Sequence, residues 1–121
     1  MSSHLTTHVL DAASGSPAPG VDVVLASASG TTVLAEATGS VIAHGRTDAD
    51  GRLALGPERL PAGDYMLTFL TGEYFAERGV ATFYPHITVT FTVEVADDGS
   101  SRHYHVPVLL SPFAYSTYRG S

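Results

Sequence analysis

The chain has 121 residues, a length that fits one domain, 1–121, able to bury about two thirds of the surface its unfolded form exposes. It contains no cysteine, lysine, asparagine or glutamine, which excludes disulfides, thiolate metal sites, cysteine nucleophiles, Schiff-base lysines and a P-loop lysine. Six arginines against twelve carboxylates leave a net charge of −6, so nucleic acid is not an expected partner.

Along the chain the apolar residues alternate with period two, the mark of strands rather than helices. Residues 4–10 read as a strand with His4, Thr6, His8 and Leu10 on one face and Leu5, Thr7 and Val9 on the other. The segment 11–20 is a loop of turn-forming residues with two prolines. Strands follow at 21–28, at 31–37 joined to 41–47, at 52–55, 65–71, 87–95, 102–110 and 113–118. Eight short strands separated by turns predict an all-β antiparallel sandwich. One short helix is expected after residue 71, with Thr71 as its cap, Glu73 in its first turn and Gly79 just past its end. Asp97 to Ser101 reads as a hairpin connection. The first residues lack the charged and apolar regions of an export signal, and no apolar run approaches the ~20 residues that span a bilayer. A cytoplasmic protein with no membrane partner is the expectation.

Histidine is the first candidate for chemistry. Strand alternation puts His103 and His105 on one face. An imidazole pair suits acid–base catalysis near neutral pH or a metal site. Zinc usually takes three or four ligands, and His8, His103 and His105 could supply three only if the first and seventh strands are neighbours. A single strand histidine is more often a surface group. Arg46 is the second candidate. It either pairs with Asp48 in solvent or offers a bidentate fork to a planar, carbonyl-rich ligand. Asp48-x-Asp50-Gly51 opens like a calcium loop, but the twelfth position is Arg59, where a bidentate Glu is needed, so it is read as a turn. The ending is the third feature, because Tyr118 to Ser121 would bring a phenol, a guanidinium and a carboxylate to a site. Gly120 would let the backbone turn back toward His8 and His105.

Four segments carry a resemblance to a known family. These are His8-Val9-Leu10-Asp11, Gly45-Arg46-Thr47-Asp48, His105-Val106-Pro107 with Leu109-Leu110-Ser111-Pro112, and Tyr118-Arg119-Gly120-Ser121. Together they resemble the transthyretin-related 5-hydroxyisourate hydrolases of urate degradation, from about residue 4 to residue 121. The resemblance implies a transthyretin-like sandwich of two sheets, eight strands and one short helix. It also implies a homotetramer whose active sites lie at the mouths of a channel. It implies that His8, Arg46, His105 and Ser121 are catalytic, that His8, Arg46 and Tyr118 bind substrate, and that no metal or cofactor takes part. The roles of His103 and His44 stay open. The substrate implied is a planar oxidised purine whose lactam opens between N1 and C6 to give 2-oxo-4-hydroxy-4-carboxy-5-ureidoimidazoline. Either His8 or His105 could be the base that activates water. Competing readings are a transthyretin-like carrier of a small ligand, a zinc site on the three histidines, and a structural module of a larger protein.

Overall fold

The computed structural model describes residues 3–28 and 41–120. The expected strand over 31–37 and the site residue Ser121 lie outside the described residues. Nine strands and one helix occur in the described part. The strands are β1 (Leu5–Asp11), β2 (Ser16–Pro17), β3 (Asp22–Ser27), β4 (Val41–Arg46), β5 (Arg52–Leu55), β6 (Gly63–Phe69), β7 (Ile87–Val93), β8 (Tyr104–Ser111) and β9 (Ala114–Thr117), with α1 (Thr71–Glu77) between β6 and β7. One sheet runs β2-β1-β8-β9, with β5 also on β1; the other runs β4-β3-β6-β7.

The sandwich is as expected, with three corrections in its wiring. The two residues of β2 add a ninth strand where the sequence predicts a loop, because Leu10 and Asp11 extend past β5 and pair with Pro17 and Ser16. The strands are not all antiparallel, since β1 and β8 run parallel, from Leu5 beside Tyr104 to Asp11 beside Leu110. Residues 97–101 do not close a hairpin, because β7 pairs with β6 in one sheet while β8 pairs with β1 and β9 in the other. Local turn chemistry cannot distinguish a hairpin from a crossing between layers; the pairing partners decide it.

The core forms where the alternating faces of the two sheets meet. Leu5, Val9, Val106, Val108 and Leu110 come from one sheet, and Val23, Leu25, Leu67, Phe69, Ile87 and Val93 from the other. The helix closes one end by burying Tyr74 and Phe75. Tyr74 donates its hydroxyl to Asp11 Oδ2 at 2.9 Å, and burial together with this bond pushes the phenol up to about 12, so it remains a donor. Asp11 Oδ1 accepts from the N–H groups of Ala13 and Ser14, which fixes the loop after β1. The expected cap at Thr71 does not form. The Leu70 N–H still bonds Asp22 O at the end of the sheet, so Leu70 becomes the flanking residue. Thr71 falls inside the helix, its buried hydroxyl without a partner among the described residues. Gly79 does end the helix region in the left-handed conformation, at φ 66°.

Candidate active site

The parallel pairing of β1 with β8 places Thr6 beside His105. On its other edge His105 meets the tail. The β8–β9 ladder stops at Val108 with Thr117, and a bridge between His105 and Gly120 resumes it in the same register. The interruption lies opposite Pro107, which has no N–H to offer. Thr117 Oγ1 donates to Pro107 O at 2.8 Å, and Gly120 N–H donates to His105 O at 2.9 Å. His105 is thus held between a strand edge and the returning tail.

The returning tail also explains Gly120. Its φ is not positive, so the glycine is required for space rather than for torsional freedom. A Cβ there would collide with Cδ2 of the His105 ring.

An open groove of about 570 Å³ is lined by Thr6, Arg46, Asp48, Arg52, His103 and His105, with Thr7, Leu53 and Ala54. Thr6 Oγ1 lies 2.8 Å from His103 Nε2 and 2.8 Å from His105 Nδ1. The expected common face of His103 and His105 is therefore present, and the adjacency of the first and seventh expected strands is met. His8 Nε2 donates to Asp50 O at 2.9 Å, tying the first strand to the turn that follows Arg46. Burial pushes His105 below its ordinary value of 6.5, with the nearby His8, His103 and Arg52 adding to the effect. The surroundings therefore favour the neutral ring. Among the described residues no group of three or more His, Asp or Glu could hold a metal ion.

Arg46 reaches across the β3–β4 ladder to Asp22, its register partner, not to Asp48. Its Nε lies 2.9 Å from Asp22 Oδ1 and its Nη2 3.3 Å from Oδ2. This bond and charge hold the exposed guanidinium further above its usual range. Asp48 accepts from the N–H groups of Asp50 and Arg52, which lowers its carboxyl and builds the expected turn. The other candidates fall elsewhere. Tyr118 borders a neighbouring cavity of about 290 Å³, which shares only His105 with the groove. Arg119 sits over the Tyr104 ring at 4.6 Å. His44 is exposed on β4. His4 is buried, with Nδ1 accepting from Leu60 N–H and Nε2 donating to Arg102 O, a structural role. Thr6 escaped sequence reasoning. Alternation put it on the face of His8, but its place between two imidazoles depends on a pairing between residues about a hundred positions apart.

Fold and groove define a class: a small two-sheet sandwich with imidazoles and a guanidinium lining one open groove. A profile of the HIUase/Transthyretin family matches residues 5–120, and the chain belongs to that family. A 5-hydroxyisourate hydrolase of Salmonella dublin is 46% identical over 121 residues, covering 97% of this chain and 80% of that protein. The structure of Klebsiella pneumoniae 5-hydroxyisourate hydrolase superposes with a TM-score of 0.77 at 37% identity, covering 97% of this chain and 92% of that one. Sea bream transthyretin in complex with thyroxine superposes with a TM-score of 0.80 at 30% identity, covering 96% and 93%. Shape alone does not separate hydrolase from carrier, so the side chains must.

Proposed function

We propose that this chain hydrolyses 5-hydroxyisourate to 2-oxo-4-hydroxy-4-carboxy-5-ureidoimidazoline in urate degradation. The observation that carries this reading is His105, fixed between Thr6 and the Gly120 N–H on a groove that also bears Arg46, where burial favours its neutral form. Such a groove suits a polar planar lactam better than a bulky apolar hormone.

In the reaction, His105 Nε2 takes a proton from water as the water oxygen bonds to C6. The C6 oxyanion is met by the guanidinium of Arg46, whose Nη1 makes no hydrogen bond to a described residue while Nε and Nη2 hold Asp22. As the tetrahedral intermediate collapses, the C6–N1 bond breaks and N1 takes the proton back from His105. His8, oriented by Asp50, holds the substrate edge, and Tyr118 donates to a substrate oxygen from the adjoining cavity. The role of Ser121 rests on the terminal motif alone.

The functional unit we propose is a homotetramer. The outer edge of β9 pairs with no described strand, and Phe113 and Tyr118 beside it are exposed. A partner that extends the sheet would cover that edge. The cytoplasm is the proposed location; no helix among the described residues is long and apolar enough to cross a membrane.

Ultraviolet decay of freshly generated 5-hydroxyisourate tests the reaction. The protein should speed the decay equally with and without EDTA, and Arg46→Lys should lower kcat/KM about tenfold or more, because an ammonium lacks the planar fork. No acceleration would refute the reading, and activity lost in EDTA and restored by zinc would refute the metal-free mechanism.

A further inference from the structure

The mechanism above leaves His103 unused, although Thr6 joins it to His105. Thr6 Oγ1 carries one proton and lies 2.8 Å from a ring nitrogen of each histidine. It can donate to one ring only, and when it does it accepts an N–H from the other; were both rings to donate, the hydroxyl proton would have no partner among the described residues. Two orders of protons satisfy the pair. In the first, His105 Nδ1–H donates to Oγ1 and Oγ1–H donates to His103 Nε2, leaving His105 Nε2 bare toward a ligand. In the second, His103 Nε2–H donates to Oγ1 and Oγ1–H donates to His105 Nδ1, leaving His105 Nε2 protonated. No described residue hydrogen-bonds His105 Nε2, so the hydroxyl direction decides whether His105 offers a base or an acid.

We propose that Thr6 links the proton positions of His105 and His103, so that the charge created when His105 accepts a proton is carried to His103 and returned for the leaving group. This rests on the hydrolase reading above. The atoms balance through one cycle. Water loses a proton to His105 Nε2 while its oxygen bonds to C6; the Nδ1 proton passes to Oγ1, and the Oγ1 proton passes to His103 Nε2. His103 is then the imidazolium. When C6–N1 breaks, His105 Nε2 gives its proton to N1 and the two chain protons step back. Nothing else is consumed.

The surroundings explain why the charge should travel. Charge on His105 is opposed first by the partial burial of its ring, then by His8 on β1, His103 and Arg52 on β5. His103 is exposed to solvent. A positive charge costs less on the exposed ring than on the enclosed one. Thr6 and His103 are positioning residues here, since neither has to touch the substrate.

Histidine tautomers are read directly from long-range proton–nitrogen NMR correlations of the ligand-free protein. Neutral His105 should carry its proton on Nδ1, and neutral His103 should have a bare Nε2. Thr6→Val, which keeps the shape and removes the hydroxyl, should return both rings to the Nε2–H form, and Thr6→Ser should restore the wild-type pattern. On 5-hydroxyisourate, Thr6→Val should lower kcat about tenfold or more with little change in KM, and Thr6→Ser should stay within about threefold. His103→Gln, at an exposed position that leaves the fold intact, can still accept from Oγ1 but cannot hold a proton. It should keep the His105 tautomer yet lose kcat to a similar degree. A His105 tautomer unaffected by Thr6→Val, or an unchanged kcat in His103→Gln, would overturn the proposal. If the wild type does not hydrolyse 5-hydroxyisourate at all, the functional reading fails, while the tautomer spectra still decide whether Thr6 links the two rings.

Discussion

At the scale of single residues, the environment of His105 opposes charge on its ring. Partial burial is the largest influence, followed by His8, His103 and Arg52. Each of them favours the neutral ring, so the folded protein titrates this group below 6.5. A base must be neutral to act, so the acid limb of kcat/KM should lie below pH 6.5 and activity should be level from there to about pH 8. Arg52→Ala removes one of the lesser opposing charges. The limb should therefore move upward but stay below 6.5, because burial persists. A pH–rate profile of both proteins checks this, and a limb that moves downward would show that Arg52 does not act on His105 by charge. Arg46 follows a different logic. Its fork is spent partly on Asp22, which holds the guanidinium at the groove rather than letting it range through solvent.

At the scale of elements, the tail is a continuation of β9 and not a frayed end. Thr117 and Gly120 both bond back to β8, on either side of the gap at Pro107. The β9 side chains are all exposed, so the core draws nothing from them. Removing residues 118–121 should therefore leave a cooperative thermal melt and abolish hydrolysis. Gly120→Ala gives a finer test, since the atoms nearest its added methyl belong to the His105 side chain, Cδ2 foremost. The ring must shift, and kcat/KM should drop about tenfold or more with little change in Tm. Wild-type rates in both variants would make the tail irrelevant to the site. The turn from Thr47 to Gly51 is the second positioning element. It crosses from β4 in one sheet to β5 in the other, so Arg46, Asp48 and Arg52 border one groove although the strands belong to different layers.

At the scale of the whole molecule, two sheets close one apolar core, and the outer edge of β9 pairs with no other strand among the described residues. Phe113, at the turn into β9, is 68% exposed, too much for so large a ring to be explained by packing within one chain. Phe83, Tyr84 and Tyr115 make an aromatic chain nearby, with ring centres 5.1 and 5.0 Å apart. Phe113→Glu should leave the protomer folded, because the ring is largely exposed, and should shift sedimentation toward smaller species. An unchanged assembly size would remove this turn from the subunit contact.

Period-two alternation on the faces of β1 and β8, the turn residues at 48–51 and the left-handed Gly79 were legible in the sequence, and they sufficed for a two-sheet sandwich. The shared face of His103 and His105 was equally legible, because side-chain direction along one strand is a local property. Other features depended on which strands became neighbours. These were the parallel seating of β1 on β8, the crossing rather than the hairpin at 97–101, the Arg46–Asp22 pair and the tail closing on His105. Local patterns specify how a strand faces but not which strand lies beside it. That choice is made by burying the apolar faces of both sheets at once. Thr6 shows the division most clearly: its position on a strand face could be read from alternation alone, but its place between two imidazoles appeared only when residues about a hundred positions apart were set side by side.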